Sequence, residues 1–201
     1  MLNTKEGILV VISGPSGVGK GTICKEYFKQ KEDAFLSVSA TTRKPREGEI
    51  DGKSYHFFDE EKFNQLIKED YFLEWADFCG KRYGTPKKPV FDCIKQGKDV
   101  VLEIEVQGAM QIKAKHPEGV YIFILPPSME ELRKRLEGRG TESQDVVEKR
   151  LITARRELEF ANKYNYYIVN DTVENAVEKI NKIIEVEKLR TERCNLNLQE
   201  E

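Results

Sequence analysis

The chain has 201 residues, with 33 Lys and Arg against 35 Asp and Glu and a formal net charge of −2. This length allows one large domain or a core with one or two small inserts. The balanced charge gives no overall basic field for nucleic acid or a membrane surface. The four cysteines form no C-x-x-C pair and only two histidines are present, so no zinc site is expected. No segment approaches the length of a membrane span, so we expect a cytoplasmic protein with free thiols, with neither a membrane partner nor an obligate protein partner.

Five short apolar runs recur between segments with helical periodicity. They read ILVVIS, AFLSVS, DVVLEIE, VYIFIL and YYIVN, at residues 8–13, 34–39, 99–105, 120–125 and 166–170. Strands that are apolar on both faces are typical of a parallel sheet covered by helices on both sides. The sequence therefore predicts an α/β fold with a doubly wound parallel sheet.

Two helices are indicated, one by its cap and the other by its apolar stripe. Ser128 and Glu131 have the spacing of a capping box at the start of a helix over 128–137. An apolar stripe from Val173 to Ile184 predicts a second helix that packs on the sheet.

Two stretches do not follow the strand and helix alternation. Residues 40–86 are rich in glycine, aromatic and charged residues, with a helical pattern at 59–70, and predict a small mixed insert. Residues 138–163 are charged and enter through GRGTE, which favours a helical lid. The predicted core domain then consists of residues 1–39, 87–137 and 164–201.

The stretch GPSGVGKGT at residues 14–22 directly follows the first apolar run. A strand, the pattern G-x-x-x-x-G-K and a helix together are typical of a P-loop. Its backbone N–H groups and helix N-terminus surround phosphates, and Lys20 reaches the β and γ oxygens. The alternative is a glycine-rich turn with Lys20 solvated at the start of a helix. The P-loop interpretation predicts ATP contacts along the whole loop: Gly14, Pro15, Ser16, Gly17, Val18, Gly19, Lys20, Gly21 and Thr22.

Gly21 stands where a P-loop usually has the Ser or Thr that binds magnesium, and Thr22 supplies the only hydroxyl of GKGT. This ending resembles the loops of small nucleotide kinases such as adenylate kinases and argues against the switch-type GTPases. We expect Mg²⁺ to be bound mainly through nucleotide phosphates and water, because this ion loses its water reluctantly.

A second anion pocket is indicated by the segment SATTRKPREGEIDGKSY. Arg43 and Arg46 flank Pro45 and can donate forked, charge-assisted hydrogen bonds to one phosphate, to which Tyr55 can add its hydroxyl. Taken alone, two arginines in a polar loop are more often solvated charge.

The chain resembles the guanylate kinases over about residues 7–185. The segment SATTRKPREGEIDGKSYHF is similar to the insert of that family, which reads S-x-T-T-R-x-P-R-x-x-E-x-x-G-x-x-Y-x-F. Further matching segments are FLEWADFCGKRYGTP (72–86), LEIEVQGA (102–109), RLEGRGT (135–141), KRLITARRE (149–157) and IVND (168–171). The resemblance implies the P-loop nucleoside-monophosphate kinase fold, with residues 40–86 as the GMP-binding insert.

By this resemblance, the residues that contact GMP fall into two groups. Those at the phosphate are Arg43, Arg46, Tyr55 and Tyr83, and those at the guanine are Ser39, Glu74 and Thr85. A carboxylate can accept hydrogen bonds from both N1–H and the 2-amino group of guanine, a pattern that adenine lacks, so Glu74 is the predicted specificity residue. The family usually has Asp where this chain has Glu105, near the acceptor and the hydrated magnesium, and Glu103 could share that role.

The resemblance also implies the catalytic and remaining ATP contacts. Asn170 and Asp171, at the end of the last strand, would contact ATP. The predicted catalytic residues are Lys20, Arg135, Arg139 and Arg150. For the lid arginines the alternative is ordinary pairing along a helix, such as Arg135 with Glu131.

The leading hypothesis is an ATP:GMP phosphotransferase with ATP and GMP as substrates and Mg²⁺ as cofactor, without a nucleic-acid partner. One alternative is a non-catalytic, guanylate-kinase-like protein-binding module, whose donor loops are generally degraded. The other is a different small P-loop kinase, against which the set of Arg43, Arg46, Tyr55 and Glu74 argues.

Overall fold

A computed structural model describes residues 6–31, 33–78, 80–138 and 143–193, except for the side chain of Phe78. The strands are β1 (Leu9–Ser13), β2 (Phe35–Leu36), β3 (Ala40–Thr41), β4 (His56–Phe57), β5 (Phe72–Phe78), β6 (Lys81–Pro86), β7 (Val100–Glu103), β8 (Val120–Leu125) and β9 (Tyr166–Val169). The helices are α1 (Lys20–Gln30), α2 (Glu60–Lys68), α3 (Lys87–Lys95), α4 (Val106–Lys115), α5 (Met129–Glu137), α6 (Gln144–Leu158) and α7 (Val173–Lys188), with 3₁₀ turns at Ala161–Lys163 and Thr191–Arg193.

The main sheet has five strands in the order β2-β7-β1-β8-β9, and all of its neighbouring pairs are parallel. Each of the five predicted apolar runs supplies one of these strands. On one face, Val10 and Ile12 pack with Tyr27 of α1 and Ile180 of α7. On the other face, Val11 packs against residues of α3 and α4. The predicted parallel α/β core is confirmed, and β1 is buried throughout because it lies at the centre of the sheet.

Helix α5 begins where its capping box predicts, and α7 covers the predicted apolar stripe and begins at a cap that was not predicted, Thr172. The Ser128 hydroxyl accepts a hydrogen bond of 3.0 Å from the N–H of Glu131, and Thr172 accepts one of 3.2 Å from Asn175. Each cap satisfies one of the N–H groups that a helix start leaves unpaired. The apolar stripe of α5 packs against α6, where its Leu132 is fully buried.

A second, four-stranded sheet in the order β4-β3-β6-β5 is formed within residues 40–86. It is mixed, because β3 pairs in parallel with β4 and antiparallel with β6. Helix α2 packs on it through Phe63, which stacks on Phe72 at 4.5 Å between ring centres. Gln111 of α4 donates a 2.8 Å hydrogen bond to the carbonyl of Trp75, so β5 is fixed against the helix that follows β7. This contact brings the second sheet to the carboxyl edge of the main sheet.

None of the helices in the described part of the chain is both long and apolar enough to cross a membrane.

Candidate active site

The predicted phosphate loop lies between the carboxyl end of β1 and the start of α1. Gly14 has φ 146° and Gly19 has φ 101°, and a Cβ at Gly14 would lie 2.4 Å from the carbonyl oxygen of Ile124. Other residues would therefore be strained at both positions. The first turn of α1 carries no acidic residue, so its N–H groups and the positive end of its dipole are available to an anion.

Lys20 is buried at this loop, with 7% of its surface exposed. Its Nζ donates a 2.6 Å hydrogen bond to the carbonyl of Gly14 and lies 3.5 Å from Oε2 of Glu105. The alternative of a solvated Lys20 is therefore wrong. Burial raises the pKa of Glu103. The positive charge of Lys20 lowers this pKa and the negative charge of Glu105 raises it, so the three side chains interact electrostatically.

A cavity of about 410 Å³ opens between the phosphate loop and the second sheet. The cavity is lined by residues predicted to bind ATP, to bind GMP or to act in catalysis: Pro15, Ser16, Gly17, Gly19, Lys20, Gly21, Thr22, Ser39, Arg46, Tyr55, Glu74, Tyr83, Glu105 and Arg150. The structure thus places the predicted donor loop and most of the predicted acceptor residues around one space. Residues of this lining that were not predicted as site residues include Ser37, Lys53, Ser54 and Gly108. Glu103, which the sequence analysis named as able to share the role of Glu105, lines the cavity as well. Lys53 and Ser54 lie inside the acceptor motif, which could have indicated them.

Glu74 on β5 is the most buried carboxylate of the cavity, with 5% of its surface exposed. Thr85 on β6, its partner across the strand pair, donates a 2.7 Å hydrogen bond to Oε1. Burial raises the pKa of Glu74 to about 7, against the lowering effect of Thr85. Gly108 of α4 leaves the space for this carboxylate, since a Cβ there would lie 2.4 Å from Oε2. A ligand that donates hydrogen bonds to this carboxylate would stabilise its ionised form.

Arg43 lies beside the cavity and is held by Glu49. The guanidinium donates to both carboxylate oxygens, at 2.9 and 2.8 Å, and lies 5.4 Å from the ring centre of Tyr55. Tyr55 in turn packs edge-on against Tyr83 at 6.0 Å. Sequence reasoning missed Glu49, although it is the acidic residue of the R-x-x-E pattern that begins at Arg46.

The predicted lid contributes Arg150 of α6 to the cavity, where its Nη2 donates a 2.6 Å hydrogen bond to the Ser16 hydroxyl. Arg135 instead contacts the outside of the loop, with hydrogen bonds to the carbonyls of Val18 and Asn170 at 3.2 and 3.1 Å. It also donates to Glu131 at 2.9 Å, so the pairing along α5 exists together with the loop contacts.

The remaining predicted site residues lie away from the cavity or outside the described chain. Asn170 is buried and donates a 2.7 Å hydrogen bond to the carbonyl of Val18, which supports the loop from behind. Asp171 is exposed and accepts from the N–H of Thr172 at 2.8 Å. Arg139 lies outside the described residues.

A phosphate loop at the edge of a parallel sheet, with a carboxylate-containing pocket from an inserted sheet facing it, defines the class of P-loop nucleoside-monophosphate kinases. Comparison with known proteins agrees with this class. The guanylate kinase family profile matches residues 6–187. The guanylate kinase of Caldanaerobacter subterraneus subsp. tengcongensis is 57% identical over 94% of this chain and 92% of its own, and that of Clostridium acetobutylicum is 55% identical over 97% and 93%.

The fold agrees with the same relatives. The crystal structure of guanylate kinase from Anaplasma phagocytophilum superimposes with a TM-score of 0.81 at 35% identity, covering 96% of this chain and 92% of the other. The chain belongs to the guanylate kinase family.

Proposed function

We propose that this protein transfers the γ-phosphoryl group of ATP to GMP or dGMP, giving ADP and GDP, in the purine nucleotide metabolism of the cytoplasm. The observation that carries this function is the single cavity lined by both the buried Lys20 of the donor loop and the buried Glu74 of the second sheet. The alternative of a non-catalytic binding module is not favoured, because Gly14, Gly19 and Lys20 are all intact and the relatives over nearly the full chain are named guanylate kinases.

On the donor side, the N–H groups of residues 14–22 would surround the phosphates of ATP. Lys20 already lies within the loop and would exchange its bond to the Gly14 carbonyl for phosphate oxygens. Asn170 would contribute by holding the loop at Val18. Asp171, exposed beside it, would contact the outer part of the nucleotide.

On the acceptor side, we propose that the GMP phosphate binds to Arg43, Arg46, Tyr55 and Tyr83. The guanine would lie against Ser39, Glu74 and Thr85. Glu74 would accept from N1–H and the 2-amino group while Thr85 holds Oε1 in place. These donors would keep Glu74 ionised in spite of its burial, because a carboxylate that accepts hydrogen bonds has a lower pKa.

The residues around Lys20 fit a magnesium ion that is bound mainly through nucleotide phosphates and water. Thr22, Glu103 and Glu105 line the cavity beside the loop, and their oxygens are the ligands that hydrated Mg²⁺ prefers. When bound, the ion would neutralise charge on the β and γ oxygens.

Phosphoryl transfer requires the protein to place donor and acceptor in line and to neutralise charge on the equatorial oxygens. Lys20 would follow the migrating group from the loop, and Arg150 would donate to it from α6. Arg139 would add a further charge from the lid. Arg135 would act through the loop that it contacts in this structure.

The core would hold ATP, the insert at 40–86 would hold GMP, and the lid at 138–163 would exclude the water that could otherwise accept the phosphoryl group.

The experiment is an ADP-release assay with ATP and GMP, dGMP, AMP or UMP as acceptors, for the wild type and Glu74→Gln. The variant keeps the shape but presents an amide donor to the donors of guanine. One lost charge-assisted hydrogen bond costs about 1.5 to 3 kcal/mol and the mismatch adds to it, so kcat/KM for GMP should fall by about 100-fold or more. The affinity for ATP should be unchanged, and Glu61→Gln on the exposed side of α2 is the matched control. Equal turnover of AMP and GMP by the wild type would contradict the proposed function.

A further inference from the structure

Thr41, the last residue of β3, is fully buried, and its hydroxyl makes two hydrogen bonds to backbone groups. Its Oγ1 accepts a hydrogen bond of 3.1 Å from the N–H of Arg43 and donates one of 2.9 Å to the carbonyl of Arg82 on β6. A hydroxyl carries one donor and two acceptor positions, so both bonds can exist together. One side chain therefore joins the segment that follows β3 to the backbone of β6.

Both backbone groups belong to the proposed ligands of the GMP phosphate or to their direct neighbours. Arg43 carries one of these ligands. The carbonyl of Arg82 is part of the peptide group that leads to Tyr83, which carries another, and Thr41 is paired with Tyr83 in the β3–β6 ladder. The Thr41 hydroxyl thus links the backbones from which two phosphate ligands project, although these ligands come from separate segments of the chain.

Arg43 is held at both of its ends. Strand β3 ends at Thr41, so the N–H of Arg43 lies beyond the ladder and takes the threonine hydroxyl as its acceptor. At the other end, the guanidinium donates to both carboxylate oxygens of Glu49, at 2.9 and 2.8 Å. The carboxylate of Glu49 orients the charged group, whereas Thr41 fixes the point from which the side chain starts.

We propose that Thr41 is a positioning residue for the acceptor, which sets the separation of Arg43 and Tyr83 so that both reach one phosphate. The inference deepens the proposed function and rests on it. Thr41 is not among the residues that line the cavity, so its effect on GMP passes through these two neighbours. A phosphate then meets ligands that are already in place, which reduces the entropy lost on binding.

The test compares Thr41→Val with the matched control Thr42→Val. Each substitution replaces a buried hydroxyl by a methyl group of similar size, and each removes a hydrogen bond to the backbone of Arg82, because Thr42 Oγ1 accepts from the N–H of Arg82 at 3.0 Å. Only Thr41→Val also removes the acceptor of the Arg43 N–H. Both variants should unfold at a lower temperature than the wild type, and thermal unfolding measures this structural loss separately.

The informative quantity is the Kd for GMP, measured by calorimetric titration of the whole chain without ATP. It should rise by about tenfold in Thr41→Val and stay within about twofold of wild type in Thr42→Val, because misplacement of a binding group by about 1 Å is costly. The KM for ATP should stay within about twofold in both variants, since the phosphate loop is untouched. Thr41→Ser keeps the hydroxyl and should bind GMP within about threefold of wild type.

The pair Thr41→Ser and Thr41→Ala differs only in the hydroxyl and provides the same comparison if Thr41→Val does not fold. An unchanged Kd for GMP in Thr41→Val would overturn the positioning role, as would an equal weakening by Thr42→Val. Binding by Thr41→Ser no tighter than by Thr41→Ala would also overturn it. A wild-type protein that binds GMP but releases no ADP would overturn the proposed function itself and leave the comparison of Kd values intact, so the two failures are distinguishable.

Discussion

The carboxylate of Glu49 accepts two hydrogen bonds from the guanidinium of Arg43, at 2.9 and 2.8 Å, and a third of 2.7 Å from the N–H of Arg46. The bonds from Arg43 contribute most to lowering the pKa of Glu49. The guanidinium is therefore oriented before any phosphate arrives. Such preorganisation reduces the entropy that binding must otherwise remove from a long side chain.

Replacing Glu49 with Gln should weaken GMP binding. The variant loses the charge of the pair and one of its two acceptors for Arg43, so the guanidinium is less well oriented. We expect the KM for GMP to rise by about tenfold, in line with a charge-assisted hydrogen bond of about 1.5 kcal/mol. The KM for ATP should not change. Steady-state kinetics with each substrate varied in turn measures both.

The control for this prediction is Glu47→Gln, which changes an exposed carboxylate in the same loop. An equal effect of both substitutions would mean that loop charge, and not the orientation of Arg43, determines GMP binding.

Replacing Gly108 with Ala should damage the base pocket from the helix side. The added Cβ would lie 2.4 Å from Oε2 of Glu74, which is fixed from its other side by Thr85. The carboxylate must then move, and kcat/KM for GMP should fall by about tenfold or more because misplacement of about 1 Å is costly. Ala is the better helix former by about 1 kcal/mol, so a loss of activity without a comparable loss of stability is expected. Thermal unfolding and kinetics together check this.

The exposed neighbour Gln107 provides the control, since Gln107→Ala alters the same turn of α4 without approaching Glu74. Unchanged GMP kinetics in Gly108→Ala would mean that the Glu74 carboxylate has room to shift.

The strands and helices could be predicted from local sequence patterns, whereas the contacts between distant segments of the chain could not. The strand β1 was predictable because it is apolar at every position, and the start of α5 because Ser128 and Glu131 have capping spacing. The burial of Lys20 and the position of Arg135 behind the loop depend on how β7 and α5 approach β1, which no window of sequence contains.

The site shows the same division. Glu74 was predicted from a family motif, whereas the space that Gly108 leaves for it arises only when β5 and α4 pack together. The residue at position 108 has no side chain to signal a role, so its function is visible only in three dimensions.

The pH dependence of stability tests the environment of Glu74. Burial raises its pKa from 4.5 to about 7 in the folded chain. Between these values the unfolded chain loses the proton that the folded chain retains, so the contribution of Glu74 to stability falls as the pH rises from about 4.5 to about 7 and is then constant. The contribution is fully present below the unfolded pKa.

The variant Glu74→Gln removes this dependence. Any cost of burying the amide is independent of pH, so the informative quantity is the change with pH of the difference in unfolding free energy between variant and wild type. That difference should shift in favour of Glu74→Gln by on the order of 3 kcal/mol between pH 4.5 and pH 8, because one unit of pKa corresponds to about 1.36 kcal/mol. Denaturant unfolding at a series of pH values measures it, with the exposed Glu61→Gln as control. A difference that stays constant over this range would show that Glu74 ionises as easily in the folded chain as in the unfolded one, and that the pocket is open to water before GMP binds.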